Sequence, residues 1–407
     1  MPSSSPTAEF TFGARVFNEP LIPVGSDPTA AENAALSTAL QEYTQRPDRD
    51  DFSSVTAFLT AHPRSPWALP LMLNLGLAYF HSGHYSKALG VWEDAWDLAK
   101  LVTARAAQPL TDRIVGELAY MYARLGRKDD LQILLDSLAD HVFSGPATEL
   151  ICGAREGLWT MNMRPDVAFR CGPLALHRIK QSVDPHNPRT DVINATASTP
   201  KGFNLHQVAK LSGKLGLDYQ MAFRAQHASI IVPSVAHFRL DHFAAVIRQE
   251  GDLYLLEDPT FGGNVMATGA ALDEETSGYF LIPQGDLPRG WRAVDAHEGE
   301  QVWGKGVTTS NDPKPHGPCD PHTSGQFVQQ GQRRLQGHGC RKGALDASEP
   351  EHYRRARRLC SCVRSRGPLQ SALQPARGSS TVDRFSLFEP RIQMDVRLAG
   401  LHCRQGL

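Results

Sequence analysis

The sequence predicts an α+β chain: an all-α helical array first, then a domain in which helices precede an antiparallel sheet. Three observations predict it. Small and apolar residues recur at helical spacing through the first part of the chain. After Pro165 the pattern changes to short strand-like runs bounded by turn residues. The helices come before the strands instead of alternating with them, which separates α+β from a parallel α/β sheet. The spans are an N-terminal extension at 1–44, the helical array at 45–163, the mixed domain at 164–294, and a linker with an unstructured tail at 295–407.

Within the array, 69-LPLMLNLGLAYFHSGHYSKALGVWEDAW-96 places Leu75-Gly76, Tyr79, Gly83, Tyr85, Ala88, Trp92 and Ala95 at the offsets of a tetratricopeptide repeat. Small residues there let two antiparallel helices approach, and large ones fill the seam. A weaker copy begins near Asp112, with Ala119, Tyr122, Gly126, Leu131, Leu135 and Leu138. Its register exceeds the usual spacing of about 34 residues, so the stretch around Gln108-Pro109 is expected to absorb the excess. Upstream, DFSSVTAFLTAHPRSPW reads as the second helix of a preceding hairpin, ended by Pro63 and Pro66. Downstream, ATELICGAREGLWTM reads as one more helix. The array can serve as a packing scaffold or as a groove for a polypeptide partner.

In the mixed domain CGPLALHRIK and FNLHQVAKLSGKLG read as helices, the second with Asn204 as N-cap and Gly216 as its stop. YQMAFRA, SIIVPSV, HFAAVIRQ, LYLLED and GYFLIP read as strands, with EGD a turn between the third and fourth.

Composition narrows the function classes. Among 407 residues, 42 basic and 43 acidic side chains give a formal charge of −1, so no whole-chain field favours nucleic acid or an anionic membrane. The first residues lack a basic leader followed by an unbroken apolar core, and no later run is long enough to span a bilayer. A cytoplasmic location is therefore the expectation, with export of a longer parent left open. The 7 cysteines, 152, 171, 319, 340, 360, 362 and 403, lack paired CxxC spacing, which argues against a disulfide framework or a zinc ribbon. No metal and no cofactor is expected.

Three residues fit one site. Cys171 stands where a helix begins, with Pro173 near the first helical position, where a missing N–H costs nothing. Free amides and the helix dipole there favour the thiolate. His242 opens the strand HFAAVI, and Asp258 ends the next strand ahead of Pro259. If those strands pair through the EGD turn, an orienting carboxylate lies beside an imidazole whose other nitrogen can face the thiol. Taken singly, a buried cysteine packs, a strand-start histidine is satisfied locally, and Asp-Pro is turn chemistry. Their joint order is what points to a site. His237 is a rival imidazole, ranked lower because Phe238-Arg239 does not open an apolar strand; Asp241 is a poor orienter, since consecutive strand residues face opposite ways.

These residues carry a resemblance. C-G-P-L-A-L, G-F-N-L-x-Q-V, H-F-A-A-V and E-D-P, over roughly 165–285, are similar to the papain-like cysteine peptidases that remove double-glycine leaders from bacteriocin precursors. The resemblance implies a papain-like fold and peptide-bond hydrolysis through a thioester, with catalytic Cys171, His242 and Asp258 and a polypeptide substrate, either the parent chain itself or another protein. It also implies a glutamine that donates to the oxyanion, but Pro165 stands at that position. Asn162 is the candidate substitute. Arg170, before the nucleophile, replaces an aspartate common in the family.

Past Pro318 hydrophobic periodicity ends, and past Asp320 Lys342 is the only lysine among many arginines. That skew fits GC-rich DNA read out of frame as well as a basic tail. Read one base later, 393-QMDVRLAGLHCR-404 permits SKWTFDWLAFIA, and PARGSSTV permits NQREAAQP. Those strings resemble the segment that opens large bacterial Rhs/YD-repeat proteins, which implies a frameshifted tail on a longer parent. No function is assigned to the tail.

Overall fold

The computed structural model describes residues 16–307. The readings of the tail beyond them lie outside the described residues.

Helices come first. α1 (Ala30–Gln45) begins at Thr29, whose hydroxyl accepts from the Glu32 amide while the Glu32 carboxylate accepts from the Thr29 amide. α2 (Ser53–Ala61) pairs with it, so the partner of the predicted second hairpin helix lies inside the span read as an extension. α3 (Ala68–His81) and α4 (Tyr85–Ala99) follow as an antiparallel pair. At their seam a Cβ on Gly76 would come within 2.2 Å of the Trp92 indole nitrogen, so only glycine lets the helices close this far. α5 (Gln108–Arg124), α6 (Lys128–Ser137) and α7 (Pro146–Met163) complete the array. The longer spacing is absorbed by residues 100–107, not around Gln108-Pro109. Pro109 sits in the first turn of α5, where its missing N–H is no loss.

After the one-turn α8 (Pro165–Ala168) come α9 (Cys171–Val183), α10 (Thr190–Asn194), the short strand β1 (Phe203–Asn204) and α11 (Leu205–Lys214). Asn204 caps α11 in a reciprocal box with Gln207, and Gly216 takes positive φ just past its end. The strands are β2 (Tyr219–Arg224), β3 (Ser234–Phe238), β4 (His242–Glu250), β5 (Leu253–Asp258), β6 (Gly263–Thr268), β7 (Thr276–Pro283) and β8 (Trp291–Ala293), with α12 (Gly269–Glu275) between β6 and β7. They form one antiparallel sheet in the order β6-β5-β4-β3-β7-β2-β8. The run SIIVPSV contributes only its end, because Pro233 has no N–H to give a ladder; β3 starts after it and includes His237 and Phe238.

Alternation along β4 gives the sheet two dry faces. Phe243, Ala245 and Ile247 pack with Leu174, Ile179, Val208 and Leu211 of α9 and α11. Ala244 and Val246, with Phe238 and Leu256, pack on the helical array. The sheet is thus the middle of three layers. Ser86, at the start of α4, donates its amide and hydroxyl to the Glu275 carboxylate at 2.9 and 2.8 Å, and Arg124 donates to the Phe261 carbonyl at 2.9 Å.

Residues 295–307, read as linker, are structured. α13 (Ala296–Gly299) leads into β9 (Trp303–Gly304), which pairs with β1. Among the described residues no helix is long and apolar enough to cross a membrane.

Candidate active site

The site forms where the start of α9 meets the start of β4. α9 begins at Cys171, and Pro173 in its first turn leaves the Cys171 and Gly172 amides as donors without intrahelical partners. A Cβ on Gly172 would come within 2.7 Å of Val208, which presses this turn onto α11. The approach to the helix is pinned by Ser198, whose hydroxyl accepts from the Phe169 amide at 3.2 Å and donates to the Pro165 carbonyl at 2.6 Å. Cys171 is a free thiol, 2% exposed.

β4 and β5 pair as the EGD turn predicts, with Ala245 opposite Glu257. His242 and Asp258 therefore emerge together at one end of the hairpin. Nε2 of His242 lies 2.6 Å from Oδ2 of Asp258, and Oδ1 of Asp258 accepts from the Thr260 amide at 2.9 Å. Both side chains are buried, His242 completely. Burial alone would lower the imidazole pKa, but the Asp258 charge and hydrogen bond outweigh it, and the Cys171 sulfur adds to them. The result is a pKa raised to about 10. Nδ1 has no hydrogen-bond partner, and the Cys171 side chain is close enough to raise the imidazole pKa.

The helical array backs this pair. Phe261 meets the His242 ring edge-on at 4.9 Å between centroids and stacks on Tyr85 at 4.2 Å. Tyr85 is fully buried; burial first, then the Asp258 charge, drives its pKa well above the usual phenol value. The sequence reading gave Tyr85 a place in a helix seam only, because nothing local reveals that α4 reaches the back of the hairpin.

A chain segment lies across the thiol. The Gly306 amide donates to Cys171 Sγ at 3.2 Å, and a Cβ on Gly306 would come within 2.3 Å of His242 Nδ1 and 3.0 Å of Cys171 Cβ. Gly306 thus lies against both Cys171 and His242. Before it, the Lys305 amide donates to the Asp241 carbonyl at 2.8 Å, and Gly304 lies under the Phe243 ring. This segment falls in the span, 295–407, that reads as linker and tail from the sequence. Its signal is slight: two glycines between Trp303 and Val307.

The remaining residues fall as follows. Asp241, set aside as an orienter, enters through its backbone carbonyl at a position of φ 54 between β3 and β4. His237 has both ring nitrogens committed elsewhere, with Nδ1 2.8 Å from Ser277 Oγ and Nε2 2.7 Å from the Trp303 carbonyl. It lies inside β3, which corrects the reason given for ranking it second. Arg170 is buried at the N-cap of α9 and is no surface side chain. Asn162 is exposed near the end of α7, and among the described residues no hydrogen bond joins it to Cys171. It does not substitute for the missing donor, because the last turn of α7 points it to solvent.

No family model matches this chain, and no curated protein matches it. One solved structure is similar in part: the crystal structure of a double glycine motif protease from an AMS/PCAT transporter in complex with the leader peptide. It is 22% identical, covering 28% of this chain and 85% of that chain, with a TM-score of 0.23.

The geometry permits nucleophilic chemistry. A thiol at a helix start lies near an imidazole whose far nitrogen is held by a buried carboxylate, the arrangement in which a base takes a thiol proton while its ring stays fixed.

Proposed function

We propose that the chain is a cysteine peptidase with a helical-repeat module that holds a polypeptide. Cys171 attacks the carbonyl carbon, His242 carries the proton, and Asp258 keeps the imidazole oriented. The observation that carries this reading is the buried 2.6 Å contact between His242 Nε2 and Asp258, with Nδ1 left without a hydrogen-bond partner and the Cys171 side chain close to the ring. A purely structural histidine has both nitrogens committed, as His237 does. The array supports the reading by supplying Tyr85 behind the site and the α3–α4 seam closed at Gly76. In this reading the array is of the tetratricopeptide type.

A second reading, a peptide-binding module with impaired catalysis, is favoured by one observation. Pro165 stands where an amide donor would be, its carbonyl is occupied by Ser198, and Asn162 is exposed. The loss of one oxyanion donor costs a factor of about 10²–10³ in rate.

Thiol labelling tests the proposal. In Gly306→Val, whose side chain cannot fit against His242, Cys171 should alkylate faster than a cysteine in a free peptide. Adding His242→Ala should slow it by about 10²-fold or more, the usual contribution of a positioned base. Labelling that ignores His242 refutes the peptidase and leaves the binding module.

A further inference from the structure

The chain closes its own site. Cys171 is 2% exposed and His242 0%, so a carbonyl carbon from another molecule cannot reach the sulfur while residues 302–307 lie where they do. That segment is held along its backbone. The Val302 carbonyl accepts from the Leu205 amide at 2.8 Å, and Trp303 and Gly304 pair with Asn204 and Phe203. The Lys305 amide donates to the Asp241 carbonyl at 2.8 Å, the Gly306 amide to Cys171 Sγ at 3.2 Å, and the Val307 amide to the Arg124 carbonyl at 2.7 Å. Two glycines let the backbone sink this far. A Cβ on Gly304 would come within 2.4 Å of the Phe243 ring, and one on Gly306 within 2.3 Å of His242 Nδ1.

The Lys305–Gly306 peptide is presented to the thiol by its edge. Its N–H points at the sulfur, and its carbonyl oxygen, on the opposite side of a trans peptide, is turned onto Gly126. A nucleophile attacks a carbonyl carbon across the face of the peptide plane, so this bond fills the site without being offered for cleavage. An occupant held in that way blocks the site and survives in it.

The grip is shared between the two parts of the fold. The mixed domain holds residues 302–305 through Leu205, β1 and Asp241, and the helical array holds 305–307 through the turn after α5. In that turn Gly126 has φ 66, and a Cβ there would come within 2.3 Å of the Lys305 carbonyl oxygen. Beside the grip lies a cavity of about 280 Å³, lined by Lys305, Asp129, Asp130 and Asp241 among others. Lys305 therefore has space to move into. The apolar anchors of the segment are Val302 and Val307 at its ends, and the stretch over the thiol is held by main-chain hydrogen bonds. Segments with few apolar contacts are those that open without unfolding the rest.

We infer that residues 304–307 are a built-in inhibitor of the site: Cys171 is latent until this segment leaves, and the α5–α6 turn of the helical array is its catch. The inference rests on the peptidase reading and names its regulation.

Alkylation of Cys171 in the full chain, located by peptide mass, tests it. Without denaturant the wild-type rate is expected to be at least about tenfold below that of Gly306→Val, Lys305→Pro and Gly126→Ala, the factor that one or two backbone hydrogen bonds carry. Lys305→Pro removes the amide held by Asp241, and Gly126→Ala pushes on the Lys305 carbonyl from the array. Neither adds an atom at the thiol. Urea melts of the same proteins give the gain that lost global stability produces by itself, and the measured gain is expected to exceed it. A wild-type chain that labels as fast as all three variants overturns the inference, as does a gain no larger than the melts account for. The peptidase reading fails on a different result: a Cys171 released in the variants that labels no faster than a free peptide cysteine and ignores His242→Ala. Fast, His242-dependent labelling in wild type and variants alike keeps the peptidase and removes the inhibitor.

Discussion

The two strands that flank the β3–β4 turn each bury a histidine one register apart, and the two have opposite chemistry. His237 is 6% exposed and His242 0%. His237 stands between a serine hydroxyl and a backbone carbonyl, groups that bring no charge to offset a buried cation; burial lowers its pKa to about 4, against smaller opposing pulls from the Trp303 carbonyl and Asp241. His242 has Asp258 on one nitrogen, and its pKa is raised to about 10 in spite of burial. Burial alone therefore does not decide whether an imidazole has a proton to move. The class of partner does: a carboxylate pays the desolvation cost of the charge, and a carbonyl does not.

The sharpest way to break this contrast is Asp258→Ala. It leaves His242 buried, with desolvation lowering its pKa and only the Cys171 sulfur opposing, so the ring should titrate well below its present value of about 10. Stability should fall by about 3–5 kcal/mol, the usual result of removing one member of a buried ion pair. Denaturant melts and a histidine NMR titration check both, and an unshifted ring would remove Asp258 as the cause.

His237→Phe acts on the other strand. It leaves the Trp303 carbonyl without its donor, a loss of about 1–3 kcal/mol. It also changes the pH dependence. The folded pKa of His237 is depressed to about 4, so the unfolded chain takes up the proton first as pH falls. Stability from this group is complete above about 6.5 and is lost toward 4. The variant should flatten that part of the curve of melting temperature against pH. His242 has the opposite sign: its contribution is complete below about 6.5 and is lost as pH rises through about 10. An alkaline slope that survives His237→Phe and disappears in His242→Ala would establish the contrast. The smallest effect belongs to Asn162→Ala. An exposed side chain outside the site should change stability by no more than about 0.5 kcal/mol, with thiol labelling in Gly306→Val unaltered.

Legibility along the sequence followed the range of the interaction. Asn204, Gly216 and the EGD turn act through neighbouring backbone, and α11 and the β4–β5 hairpin stand where those signals predicted. The pairing of His242 with Asp258 was readable for the same reason, since a tight turn fixes the register of both strands. Strands β6 and β8 and the one-turn helices lacked enough periodicity to be seen. Pro233 misled, because an apolar run was counted as strand across a residue that cannot donate to a ladder.

By itself the sequence determined the order of helices before strands, the helix that starts at Cys171, and the hairpin that sets an imidazole beside a carboxylate. Each follows from local spacing, capping or a turn. Only the tertiary structure decided that Tyr85 and Phe261 close the back of that pair, that His237 braces Trp303, and that Gly306 lies on the sulfur. Those contacts join residues far apart in the chain. They depend on how the three layers pack, and no pattern within a short window records that.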